Sequence, residues 1–155
     1  LLVSFLDEWF SRYGYEFVAH HPDYYMPGGM TLSEDEIGAV SAEVFEALFL
    51  PELTELSQRY GGIGIHCCAD ARHQWAHLKL VPDLKLLNLV QPVEELQEAY
   101  RYFATHVPQM HNWCGDGDPL SWTEQWPDDC RAVLQISADS KEQAIEYSQK
   151  LRSIA

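Results

Sequence analysis

The chain has 155 residues, of which 46% are hydrophobic and 22% charged, enough apolar content to bury a sizeable core. A net charge of -14 gives a surface that repels phosphate backbones and anionic lipid, which argues against nucleic-acid and membrane partners. The apolar runs are too short to span a bilayer, and Leu1-Leu2-Val3, soon followed by Asp7 and Glu8, does not read as a secretory leader.

In chain order, Leu2, Phe5, Leu6, Trp9, Phe10 and Tyr13 are spaced as one face of a helix, with Gly14 as its stop. Residues 15–19 read as a short strand and residues 20–29 (HHPDYYMPGG) as a loop. Ser33 and Glu36 have capping-box spacing for a long amphipathic helix reaching Tyr60, with Pro51 expected to kink or divide it and Gly61-Gly62 to end it. After that the chain alternates. Strands are expected at 63–68, 85–90, 107–113 and 131–137, and helices at 71–80, 93–105 and 141–152. The strands begin roughly every 23 residues, one β-α unit each. Residues 114–129 read as a loop.

Such alternation predicts a parallel sheet covered by helices, and on residues alone two α/β architectures fit: an open doubly wound sheet and part of a (β/α)8 barrel. The Gly-rich phosphate loop of a doubly wound fold is missing, because GGIG begins a strand and CGDGD lacks GxGxxG spacing. The chain opens on Leu1, inside a helical pattern. One segment, residues 1–155, is therefore expected to be a fragment of a larger domain.

The four cysteines include the adjacent pair Cys67 and Cys68, which are poorly placed to bridge each other, so reduced thiols of a cytoplasmic protein are expected.

The stretch SEDEIGAVSAEVFEALFLPELTELSQRYGGIGIHCCA, with Phe45, Phe49, the Leu50-Pro51 pair and a strand ending in a polar cluster, resembles the uroporphyrinogen decarboxylase superfamily. LLNLVQP, MHNWCGDGDP and RAVLQISADSKEQAIEYSQKL resemble the following strands and the last helix of that family. The resemblance runs from about Asp23 to Leu151 and implies a (β/α)8 TIM barrel, with this chain as its strands four to eight and the N-terminal half of the barrel as its missing partner.

Two activities are implied. One is cofactor-free decarboxylation of a tetrapyrrole. The other is zinc-dependent methyl transfer from a corrinoid, or a corrinoid protein, to a thiol. The methyltransferases carry His-x-Cys at the end of one strand and a Cys at the end of the last. His66-Cys67-Cys68 matches the former, while LQISADS supplies neither that Cys nor the decarboxylases' His. A member that has lost its catalytic groups and only binds its ligand is a third possibility.

His66 and Cys68 are two apart on a strand, so they share a face, with Cys67 on the other. Imidazole and thiolate are preferred zinc donors, with His111 or Cys114 as candidate third ligands and an open position for a thiol or water. A hydrogen-bonded core histidine and a packed cysteine fit the same residues.

Asp23 and Tyr24, in a loop, and Arg72, Gln91 and Asn112, at or beyond strand ends, are candidate substrate contacts. Turn chemistry, solvation and strand capping explain the same residues without a substrate. His73 and His77 have zinc-pair spacing, but without the glutamate of HExxH they read as a surface pair.

Overall fold

The computed structural model describes residues 1–15, 26, 28–112 and 118–154. Five strands form one sheet in the order β1-β2-β3-β4-β5, every pair parallel. They are β1 (Met30–Ser33), β2 (Ile63–Cys67), β3 (Leu84–Leu89), β4 (Gln109–Asn112) and β5 (Ala132–Gln135). The helices are α1 (Leu2–Tyr13), α2 (Ala42–Val44), α3 (Leu50–Tyr60), α4 (Trp75–Leu78), α5 (Val93–Phe103) and α6 (Lys141–Ile154). The fold is α/β, as the alternating pattern required, and among the described residues no helix is long and apolar enough to cross a membrane.

Strand order equals chain order, so each crossover steps one place across the sheet in the same direction. The core shows where the crossovers pass. Ile63, Ile65 and Cys67 of β2 and Leu87 and Leu89 of β3 pack with Phe10, Phe45, Leu53, Leu56, Trp75, Leu96 and Phe103 in one large cluster. Those partners come from helices and helical turns, so this face of the sheet is the helix-covered one. The alternate residues Leu86 and Met110 form a separate small cluster with Met26, against which Val133 packs. Side chains alternate across a strand, so these two clusters lie on opposite faces. We call the second the inner face.

Several elements depart from the sequence reading. The long helix does not start at the apparent capping box. Ser33 closes strand β1, a 3₁₀ turn covers Asp35–Gly38, and the helix begins at Ala42, where the Ser41 hydroxyl accepts from the Val44 N–H at 3.4 Å. Pro51 falls where the helical run divides into a π-helical turn and α3. It sits in the first turn of α3, directly after a π-helical turn, Phe45–Phe49. A proline lacks the N–H that a regular helix would use, and the wider turn before it takes up that mismatch. Tyr60 then ties α3 to α1, its hydroxyl lying 3.1 Å from the Val3 carbonyl and 3.0 Å from Asp7 Oδ1. The helix expected over residues 71–80 is short, a 3₁₀ turn Arg72–Gln74 followed by α4. The strand expected at 15–19 falls largely outside the described residues.

Candidate metal centre

Parallel strands bring their C-terminal ends to one side of a sheet, and β1 and β2 are neighbours. Their register sets Ser33 opposite His66. The ladder continues one residue further, because the Glu34 N–H donates to the His66 carbonyl at 2.8 Å. The chain then turns into the Asp35–Gly38 3₁₀ segment, and Asp35 is delivered to the end of β2. There the Asp35 Oδ1 accepts the backbone N–H of Cys68, and its Oδ2 lies 3.5 Å from the Ser33 hydroxyl. Asp35, His66 and Cys68 thus each offer a ligand atom, all within 4.8 Å of one another.

His66 is only 7% exposed and its orientation is fixed from behind. On β3, in register with it, stands Asn88, 1% exposed. The Asn88 Nδ2 donates to the Met110 carbonyl at 2.8 Å, which leaves Oδ1 toward the imidazole, 2.6 Å from His66 Nδ1. An amide oxygen can only accept, so Nδ1 carries the proton. In the neutral ring the other nitrogen, Nε2, then presents a lone pair, and Cys68 Sγ lies 2.8 Å from it. The relay runs from a β4 carbonyl through the amide and the imidazole to the thiol. Metal-binding histidines are held in this way, with the non-ligating nitrogen donating to a fixed acceptor.

The donor set fits zinc. Nitrogen, sulfur and carboxylate oxygen are its usual ligands, and three protein ligands with an exposed fourth position are the pattern of a reactive site. Tetrahedral bonds of about 2.0 Å to nitrogen and about 2.3 Å to sulfur hold those two atoms about 3.5 Å apart. The 2.8 Å separation of Nε2 and Sγ is shorter than that spacing, so ligation requires the exposed Cys68 side chain to draw back from the imidazole.

Electrostatics point the same way. Desolvation, then the neighbouring Asp35 carboxylate, pushes the Cys68 thiol up, and a dication reverses both effects. Glu34 is pushed up to about 7 by burial and by Glu36, Glu52 and Asp35, so negative charge is crowded at this corner.

The comparisons with known proteins are uniform. No family model, no curated protein and no solved structure matches this chain.

The other sequence candidates fall elsewhere. His111 is not brought to the pair. Asn88 stands beside Met110 on the inner face, so the next residue of β4 points to the helical side. There His111 is 2% exposed, edge-on to the Tyr100 ring of α5 at 6.5 Å, and burial lowers its pKa to about 4. One residue of strand parity separates a candidate ligand from a core histidine.

Arg72 pairs with Glu98 on α5 and its guanidinium carbon sits 5.4 Å from the Trp75 ring centre, so its charge is engaged with the helical layer. Gln91 holds the loop after Cys68, its amide donating to the carbonyls of Ala69 at 2.8 Å and Cys68 at 3.2 Å. It shapes the site from below. Asn112 ends β4 opposite Gln135, and its side chain lies outside the described residues, as do Asp23, Tyr24 and Cys114. His73 Nε2 lies 2.9 Å from the Val40 carbonyl, and the His77 ring lies 5.7 Å from Phe45.

Two members of the site, Asp35 and Asn88, escaped the sequence reading. Asn88 did leave a signal, as the one amide in the apolar run KLLNLV, since a buried polar group demands a partner.

Proposed function

We propose that this chain is the C-terminal part of a (β/α)8 barrel enzyme in which a zinc ion, held by Asp35, His66 and Cys68, activates a thiol to accept a methyl group from a corrinoid. The observation that carries this reading is the meeting of a carboxylate, an imidazole and a thiol at the C-terminal ends of two adjacent parallel strands. The barrel is supported by strand order equal to chain order and, among the described residues, by helices packing on one face, a winding that differs from doubly wound sheets with helices on both faces. The His-x-Cys resemblance to the zinc methyltransferases of the uroporphyrinogen decarboxylase superfamily supports the reaction.

When bound, zinc would supply Lewis acidity that turns a thiol into a thiolate at neutral pH. The residues have separate tasks. Asn88 keeps the His66 Nε2 lone pair aimed at the ion. Cys68 gives a second, exposed ligand and leaves room for a substrate thiol. Asp35 adds a hard, anionic third ligand in place of the cysteine that LQISADS lacks. The substrate thiol would lose its proton to solvent and its sulfur would bond to the methyl carbon as the carbon–cobalt bond breaks, the electron pair of that bond staying with the corrinoid. The free thiols at Cys67, Cys68 and Cys130 fit a reducing cytoplasm.

The test uses the full-length protein loaded with zinc, methylcobalamin and a small thiol. Thioether formation that disappears in His66→Ala and Cys68→Ser supports the proposal. Decarboxylation of a porphyrinogen without zinc would replace it with the other branch of the superfamily. Tight binding of a tetrapyrrole with no turnover would make the protein a ligand carrier.

A further inference from the structure

The opposite end of the sheet carries a second concave feature. A cavity of about 610 Å³ opens at the N-terminal ends of β3, β4 and β5, among the loops that lead into them. Its walls include Lys79, Lys85, His106, Arg131, Pro108 and a single carboxylate, Asp83. This is out of keeping with the rest of the chain, which has 24 acidic residues against 10 Lys and Arg.

Four cations outside the cavity are ion-paired. Arg12, Arg59, Arg72 and Lys150 each pair with a carboxylate. In the cavity, Lys79 and Arg131 are held by uncharged groups. Lys79 Nζ sits 4.0 Å from the centre of the Tyr102 ring. Arg131 Nη2 donates to the Thr105 carbonyl at 2.8 Å. Among the described residues neither has a carboxylate within ion-pair distance.

The half-buried Lys85 is positioned by backbone. Its stem crosses Gly62 so closely that a Cβ there would lie 2.4 Å from Lys85 Cε, and Gly62 itself has φ +105°. Asp83 also takes up a left-handed conformation, φ 47°, in the loop that forms the floor. Non-glycine residues in that region are uncommon, and such backbone gathers at ligand sites.

We infer that this cavity binds a small phosphate monoester, with Lys79, Lys85 and Arg131 as its charge partners. The inference stands apart from the metal reading, since it uses no residue of that site. Cations from the end of α4, the start of β3 and the segment before β5 suit a compact dianion with several acceptor oxygens better than a lone carboxylate. Arginine and lysine held in place also lose little on binding such a group. The volume falls within the range of small-molecule pockets and exceeds what a bare phosphate fills, so an organic body belongs with the anion.

The test is calorimetric titration of the protein with glycerol 3-phosphate at low ionic strength, with glycerol, inorganic phosphate and sodium chloride as comparison arms. Saturable binding of glycerol 3-phosphate, weaker binding of inorganic phosphate and none of glycerol are expected. Arg131→Gln and Lys79→Gln should each weaken binding about tenfold, as loss of one charge-assisted contact does, and Arg12→Gln on α1 should leave it unchanged. Each variant is checked for an unaltered thermal melt. If one unfolds, the other decides. Absence of saturable binding up to about 10 mM, a response matched by chloride, or equal binding by all variants would overturn the inference.

Discussion

His66 and Asn88 stand opposite each other in the register of β2 and β3, with the imidazole Nδ1 2.6 Å from the amide Oδ1. The amide is itself locked by the Met110 carbonyl, so a β4 backbone group decides which imidazole nitrogen faces Cys68. Asn88→Ala should therefore act twice. Leaving the buried imidazole N–H without its acceptor costs about 1–3 kcal/mol in urea denaturation. Zinc affinity, measured by competition with a chelator, should fall about 10–100-fold. Asn88→Asp keeps an acceptor for Nδ1 but loses the donor to the Met110 carbonyl, so affinity should fall less than in Asn88→Ala although the fold is destabilised at least as much, a split that a purely structural role for Asn88 does not produce.

Gly38 and Ala69 set the distance between the turn that carries Asp35 and the loop after Cys68. A Cβ on Gly38 would lie 2.6 Å from Ala69 Cβ and 3.0 Å from the Asp70 carbonyl oxygen. Gly38→Ala forces the two segments apart and should destabilise the fold by about 1–3 kcal/mol. It should also weaken zinc binding, because Asp35 moves with its turn. Adding Ala69→Gly removes the nearer clash, so the double variant should recover part of both losses in a mutant cycle.

Cys67 and Cys68 are neighbours with opposite fates. Cys67 is buried in the helix-covered core, with its thiol pushed up to about 11 by that burial, while Cys68 is exposed at the strand end. Peptide mapping after iodoacetamide treatment should find Cys68 alkylated well before Cys67. Saturating zinc should slow the reaction at Cys68 and leave Cys67 unaffected.

His111 should make stability depend on pH. Burial lowers its pKa from 6.5 to about 4, so between those values the unfolded chain binds the proton more readily than the native one. Its contribution is fully present above 6.5 and is lost as pH falls toward 4, up to about 3 kcal/mol in all. Urea midpoints of the wild type and His111→Phe, compared at several pH values, should show the wild type losing stability relative to the variant as the pH falls from 6.5 toward 4. A parallel pair of curves would mean that His111 is solvated.

The β-α alternation was legible because each strand from β2 onward is an apolar run bounded by Pro or Gly. β1 was not. Met30–Ser33 has only four residues, two of them polar, and Ser33 and Glu36 imitate a helix cap that the backbone does not form. At the site, the pairing of His66 with Cys68 followed from spacing two apart on a strand. Asp35 lies 33 residues before Cys68 and meets it only because β1 pairs with β2. The misassigned His111 shows the same limit from the other side. Facing direction depends on the register between strands, and a sequence states its own parity but not that of its neighbour.

The central claim is that Asp35, His66 and Cys68 hold one metal ion together. Cobalt(II) substitution tests it most directly, because a sulfur ligand and a tetrahedral site each leave an optical signature. The account predicts one cobalt per chain, a near-ultraviolet sulfur-to-cobalt band that Cys68→Ser abolishes, and intense visible bands that Asp35→Ala and His66→Ala weaken. Cobalt that binds with octahedral, sulfur-free spectra, or spectra that survive all three substitutions, would contradict it.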